Sequence, residues 1–140
     1  MSKAIIIKKL ANRLENASSG NDRVIAIKEL QEVTKTEPDE VGLYSLQVVI
    51  DQLNHAESTE EYQEILCLME GLVKSKNKEA NIKNSKSILS EVRNVETLLE
   101  LMGHDDVLIS IMASNLLTLL HENDGAYLEK CIQQCPNGIV

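Results

Sequence analysis

Apolar positions recur along this chain at spacings of three and four, and residues 105–123 carry the strongest such pattern. Six of its apolar residues fall on one side of a helix and three more widen that stripe: Leu108, Ile109, Met112, Leu116, Leu119 and Leu120, then Val107, Ile111 and Leu117. Asp105 and Asp106 suit the amino end of a helix, and Gly125 suits the stop after it. The pattern predicts a helix that needs cover on more than one side, with Leu116 among the most buried residues.

The same spacing predicts six further helices. Five of them span residues 2–16, 38 to about 54, 58 to about 73, 88–102 and 127–134. The sixth begins at residue 22 and ends where residues 36–38 break the pattern. A break near Arg93, within 88–102, is left open. Ser58 followed by Glu61 is a capping-box pattern at the start of the fourth helix. Residues 74–86 have few apolar positions, so we predict a loop there that contains at most a short helix near its end.

Shifting the sequence on itself indicates an internal repeat. A shift of 39 aligns Leu14 with Leu53, and a shift of 47 aligns Ile65 with Met112. Any two amphipathic helices align at some shift, but here both helices of each pair align. Periods of about 40–47 residues in helical chains are typical of armadillo and HEAT repeats. We therefore predict one all-α domain over residues 1–140, an armadillo/HEAT-like right-handed superhelix of about three repeats without a sheet.

Composition limits the kind of core that the chain can form and the cellular compartment that suits it. The chain has no Phe or Trp, so its core must be aliphatic, and no apolar run approaches the ~20 residues of a membrane span. An odd count of three cysteines without a secretory segment argues for a reducing compartment. Cys131 and Cys135 lie four apart and could share a metal, but no histidine has a matching spacing. Buried structural thiols are the favoured interpretation.

Charge is unevenly distributed along the chain. The net charge is −8, made up of +3 in residues 1–35, −9 in 36–73, +4 in 74–93 and −6 in 94–140. This alternation argues against a nucleic-acid surface, which requires a continuous basic stripe. It suits a protein that binds protein partners through complementary patches.

The sequence offers little for catalysis. It has no glycine-rich phosphate loop and no paired histidine and carboxylate spacing typical of a metal site. Ser114 and His121 share a helical face, but nothing nearby supplies a nucleophile elbow or an oxyanion hole. We therefore expect a protein-interaction scaffold that is not an enzyme and holds no cofactor or metal.

Four runs of sequence resemble the start of the armadillo-like head of the general vesicular transport factor family, the Golgi-associated vesicle-tethering proteins. They are KKLANRLENASSGNDRVIAIKELQEVTK, DEVGLYSLQVVIDQLNHAESTEEYQEILCLMEGLV, VETLLELM and LLTLLHENDGAYLEKCIQQCPNGIV. The small-residue turn before Asp22 and Arg23, and the entry Glu40-Val41-Gly42, are the most telling parts. Residues 74–86 depart from the family because they are basic, and the long coiled-coil tail of such tethers is not in this sequence.

The resemblance implies a role in vesicle tethering in ER–Golgi or intra-Golgi traffic. It implies Rab-type small GTPases, golgins and SNARE proteins as partners. It also implies a cytoplasmic location, peripheral to Golgi and vesicle membranes through those partners. The alternative is another armadillo-type adaptor, such as a chaperone nucleotide-exchange factor or a transport adaptor. A nuclear-import adaptor is disfavoured because the chain has no Trp.

The candidate protein-binding surface consists of the outward residues of the second, fourth and sixth predicted helices, since extended faces of this kind bind partners in repeat proteins. We place Glu60, Glu61 and Glu64 on it as a negative field, with Arg23 and Lys28 on the second helix. Ile139 and Val140 make a poor polar cap, so we expect the front part of a longer head. Self-association is then expected through an apolar patch of four residues: Leu117, Tyr127, Ile132 and Ile139.

Overall fold

The computed structural model describes residues 2–135, and in this part of the chain there are seven α-helices and no strand. The helices are α1 (Lys3–Glu15), α2 (Gly20–Thr34), α3 (Pro38–His55), α4 (Thr59–Val73), α5 (Lys78–Leu89), α6 (Val92–Met102) and α7 (Val107–Gln134). Side chains of Ser2, Ser19, Ser58, Asn77 and Asp106 each accept a hydrogen bond from a backbone amide in the first turn of the helix that follows. The all-helical prediction is confirmed.

Corresponding helices of successive hairpins pack side by side. α1 packs against α3, and α2 packs against α4. α4 also packs against α7. α1 and α3 run in the same direction, because Lys3 reaches Glu37 at 3.3 Å and the Lys8 ammonium lies 4.7 Å from the centre of the Tyr44 ring. α5 lies between α3, α4 and α7, and α6 pairs with α7. The result is two helical hairpins followed by a three-helix unit.

One aliphatic core runs through all these contacts. Its largest fully buried side chains are Ile7, Leu14, Ile27, Leu30, Ile50, Leu53, Ile65, Leu66, Leu68, Met69, Leu72 and Ile88. Leu116 is 0% exposed, as predicted. None of the helices in residues 2–135 combines the length and apolar character needed to cross a bilayer.

The apolar stripe of α7 is narrower than its sequence indicates. Leu108, predicted to face inward, is 50% exposed, and Val107 and Ile111 are exposed too. The buried line of the helix runs instead through Ile109, Ala113, Leu116 and Leu120. Successive residues turn by about 100° on a helix, so Leu108 points well away from the core when Ile109 points into it.

Residues 74–86 are mostly helical, so the predicted loop is wrong. α5 begins at Lys78, where the side chain of Asn77 accepts a hydrogen bond from the amide of Ala80 at 3.0 Å. Half of its buried residues are polar, namely Asn81, Asn84 and Ser85, and all three are hydrogen-bonded. Apolar periodicity reveals a helix poorly where amides and hydroxyls take inward positions. The break left open near Arg93 lies at residues 90–91.

The predicted sixth and seventh helices form one element with a kink. Asp124 has φ −159° and ψ 68°, and its carboxylate accepts a hydrogen bond from the Tyr127 amide at 3.4 Å. Asp124 thus caps the second part of α7, one residue before the predicted stop at Gly125. The predicted exposed patch is corrected at Leu117, which is only 9% exposed because it packs into the core. Tyr127 is exposed, Ile132 is half-buried, and Ile139 lies outside the described residues.

Asparagine side chains from other helices satisfy backbone carbonyls at helix ends. Asn84 donates to the carbonyls of Pro38 at 3.2 Å and Leu72 at 2.9 Å. Asn123 donates to the carbonyl of Val73 at 2.9 Å. Carbonyls in the last turn of a helix lack partners within it, so these distant amides satisfy the end of α4.

Asn84 also accounts for the glycine at position 42, and this contact yields a prediction. A Cβ at position 42 would collide with the Asn84 side-chain amide. We expect Gly42→Ala to lower the free energy of unfolding by about 1–3 kcal/mol, because Asn84 must leave its two carbonyls. Urea denaturation followed by circular dichroism measures the change.

Gly71→Ala in α4 is the matched control. A Cβ there meets only Thr34 Cγ2, at 3.6 Å, which is an ordinary van der Waals contact. Alanine in that helix should therefore be neutral or stabilise by up to about 1 kcal/mol. Equal stability changes at positions 42 and 71 would contradict the assigned role of Asn84.

Candidate protein-binding face

The α2–α4–α7 layer contains the predicted binding residues, and an ion pair joins its first two helices. Arg23 donates from Nε to one carboxylate oxygen of Glu61 at 3.2 Å and from a terminal nitrogen to the other at 3.0 Å. This two-pronged geometry suits a guanidinium and a carboxylate. The hydrogen bond to Glu61 raises the pKa of Arg23, although partial burial opposes the shift. Arg23 and Glu61 thereby fix how α2 lies on α4.

The prediction that Glu61 points outward is wrong. Glu61 is 4% exposed, and its carboxylate lies so close to Gly20 that a Cβ there would collide with it. Its backbone amide donates to the Ser58 hydroxyl at 3.1 Å, which is one half of the predicted capping box. The carboxylate turns to Arg23 instead of back to the Ser58 amide, so the other half of the capping box is not formed.

The other predicted residues lie on the same layer without forming one cluster. Lys28 on α2 and Glu60 on α4 are exposed. Glu64 is half-buried, and the Gln31 side-chain amide donates to its backbone carbonyl at 3.0 Å and to its carboxylate at 3.2 Å. The exposed negative field on α4 is therefore weaker than predicted, since Glu61 is paired and Glu64 is hydrogen-bonded.

A groove of about 530 Å³ opens between α2 and α4, and we call it the α2–α4 groove. α2, α4 and the turn after α4 line it with nine residues: Gln31, Thr34, Lys35, Cys67, Leu68, Gly71, Lys74, Ser75 and Lys76. Lys74 also lines a smaller groove of about 280 Å³ between α4 and α7, with Glu70, Asn115, Thr118 and Leu119. The two grooves are therefore neighbours across α4.

Cys67 is the exposed thiol of the three, and it lines the α2–α4 groove. Partial burial raises its pKa first, and the nearby Glu64 and Glu70 carboxylates raise it further. All these causes disfavour the thiolate, which is the reactive form of cysteine.

We expect Cys67 to react slowly with iodoacetamide at neutral pH and faster as pH rises past its elevated pKa. Replacing Glu64 and Glu70 with glutamine should lower that pKa and speed alkylation at neutral pH. Mass spectrometry of the native chain should show one labelled thiol, because Cys131 and Cys135 are buried. Equal alkylation rates in the two proteins would contradict the electrostatic effect.

Cys131 and Cys135 are buried, as predicted, and their thiols donate to backbone oxygens. The Cys131 thiol lies 3.1 Å from the carbonyl oxygen of Leu89 and the Cys135 thiol 3.3 Å from that of Cys131. Burial raises the pKa of both thiols. The Cys131 contact ties the carboxyl-terminal part of α7 to the end of α5.

Sequence reasoning missed the α2–α4 groove. Two signals were present: Gly71 inside a predicted helix, and Lys74 as the first basic residue after a stretch of acidic ones. Neither shows by itself that Gly71 faces Thr34, because that depends on how α2 and α4 pack.

Among solved structures, the fold is similar to a crystal structure of Uso1-1. The similarity has a TM-score of 0.82 with 14% sequence identity, and it covers 97% of this chain and 25% of that one. No family model matches the sequence, and no curated protein matches it. The chain thus spans about a quarter of the length of Uso1-1. Uso1 is a Golgi vesicle-tethering factor, so at the level of the fold the structural comparison agrees with the family resemblance seen in the sequence.

Proposed function

We propose that this chain is a protein-interaction scaffold in vesicle tethering, acting in ER–Golgi or intra-Golgi traffic. The observation that carries the proposal is the shared fold with Uso1-1, at a TM-score of 0.82 over 97% of this chain. The family resemblance of the sequence supports the same role. The proposed role is non-catalytic and requires no cofactor.

The finer architecture we infer is an armadillo-like right-handed superhelix of three units. The units are α1–α2, α3–α4 and α5–α6–α7. Parallel stacking of α1 on α3 and of α2 on α4 supports this inference, because stacked repeats place equivalent helices side by side. The α2–α4–α7 layer is then the continuous face on which partners bind.

The partners proposed are Rab-type small GTPases, golgins and SNARE proteins, with membrane association only through them. The first experiment is retention of the purified chain on immobilised Rab-type GTPases loaded with GTP analogue or GDP. We expect retention on one nucleotide state. Retention on neither state, together with binding to an Hsp70-type chaperone, would favour the chaperone-adaptor alternative.

A charge-reversal pair tests whether the α2–α4–α7 layer is used. Glu60 and Glu79 are exposed and each occupies the second position of its helix, α4 or α5. Reversal to lysine therefore has the same cost against the helix dipole at both sites. Glu60→Lys should weaken retention and Glu79→Lys should not; the opposite result would place the interface on the other side of the molecule.

A further inference from the structure

We infer that the α2–α4 groove binds an acidic, extended segment of a partner protein. This inference rests on the proposed scaffold function and specifies the chemistry of one of its binding sites.

The shape of the groove comes from small side chains at a helix crossing. Gly71 on α4 faces Thr34 on α2, and a Cβ at position 71 would still lie 3.6 Å from Thr34 Cγ2. Leu68 contributes an apolar floor and is only 1% exposed. A volume of about 530 Å³ is within the ~300–1,000 Å³ typical of ligand sites. It can hold a few residues of an extended chain.

Charge determines the class of ligand. Every charged residue that lines the groove is a lysine: Lys35, Lys74 and Lys76. Lys35 pairs with Glu32 at 3.0 Å, but both side chains are about 70% exposed, and such pairs contribute little. Lys74 and Lys76 form no ion pair within residues 2–135. Ammonium groups without a partner beside an apolar floor favour a segment that alternates carboxylate and apolar side chains.

The turn that carries two of these lysines is held in place. The backbone amide of Ser75 donates to the Asn81 side-chain oxygen at 2.8 Å, and the Asn81 amide donates back to the Ser75 carbonyl at 3.0 Å. Asn81 is itself buried. Lys74 and Lys76 are therefore presented from a fixed backbone, which reduces the entropy lost on binding.

A membrane surface fits the groove less well than a peptide does. The lysines line a recess, and the acidic residues Glu64 and Glu70 lie close enough to it to affect the pKa of Cys67. A flat anionic bilayer would meet these carboxylates together with the lysines. A narrow chain within the recess meets the lysines that line it, whereas Glu64 and Glu70 are not among the lining residues.

The test is selection of a random 12-residue peptide library displayed on phage against the immobilised chain. Enriched peptides are then synthesised and titrated by fluorescence polarisation at two salt concentrations. Three variants are compared with the wild type: Lys74→Glu with Lys76→Glu, Gly71→Leu, and Lys78→Glu with Lys86→Glu. The last pair is the matched control, because both lysines are exposed in the same basic stretch and neither lines the groove.

We expect enriched peptides rich in Asp and Glu, bound more weakly at high salt. Reversal of Lys74 and Lys76 should weaken them by about tenfold or more, and the control pair should not. Gly71→Leu fills the groove without changing its charge and should also abolish binding, while circular dichroism shows that the helices remain.

Three results would overturn the inference: no enrichment, enrichment of peptides without acidic residues, or equal weakening by the groove and control pairs. The lysines would be assigned to membranes instead if the wild type binds phosphatidylserine vesicles but no peptide, and if the groove variants lose that vesicle binding. If peptide selection fails while GTPase retention persists, this inference is wrong and the proposed scaffold function stands.

Discussion

Replacing Leu116 with alanine is expected to lower the free energy of unfolding by about 2–5 kcal/mol. Leu116 is 0% exposed on α7, on the buried line of the helix that packs against α4 and α6. Truncation removes apolar atoms from the core and leaves a cavity that close-packed neighbours cannot fill. Chemical denaturation at equilibrium measures the loss.

Lys78→Ala serves as the control for Leu116→Ala. Lys78 is the first residue of α5 and is exposed, so its removal should change stability by no more than about 0.5 kcal/mol. A loss well under 1 kcal/mol for Leu116→Ala, comparable with that for Lys78→Ala, would mean that a different face of α7 is buried.

Arg23→Ala is expected to be at least as damaging, at about 3–5 kcal/mol, because it leaves the buried Glu61 carboxylate without its partner. The Glu61 side chain is 5% exposed and the Arg23 side chain 21% exposed, so water replaces the lost guanidinium poorly. Arg23→Lys should recover only part of the loss, because an ammonium cannot donate to both carboxylate oxygens in the same geometry.

Two further variants separate the ion pair from simple loss of charge. Lys28→Ala removes an exposed positive charge from the same helix and should leave stability nearly unchanged. The double variant Arg23→Met with Glu61→Leu should be much less damaging than Arg23→Ala, because it leaves no buried charge. A double variant as unstable as Arg23→Ala would show that the site depends on shape rather than on charge.

Apolar periodicity predicted most of the fold because six of the seven helices in residues 2–135 bury an apolar stripe. It failed for the first part of α5, where Asn81, Asn84 and Ser85 are buried and Ile88 and Leu89 follow only at the end, so the apolar signal was weak there. It also predicted that Leu108 is buried. A stripe that is shifted by one residue along α7 has almost the same spacing of apolar positions, so the spacing does not show which of the two faces is buried.

The candidate binding face was only partly predictable from sequence. The pattern placed Lys28 and Glu60 on the surface correctly, but it could not show that Glu61 turns to Arg23, 38 positions away. Long-range partners depend on which helices pack together and in which direction. The groove at Gly71 depends on the same packing, because the opposing Thr34 comes from another hairpin.

Asn84 and Asn123 make the folding of α4 depend on helices that follow it in the chain. α1, α2 and α6 end on carbonyls that accept from the backbone amide of their own capping residue, at Asn16, Lys35 and Gly103. Carbonyls in the last turn of α4 accept instead from Asn84 of α5 and Asn123 of α7. A stacked array can melt unit by unit from its ends when each unit is complete in itself. Here the middle unit, α3–α4, is not complete without the third. The two units therefore unfold together in one cooperative transition.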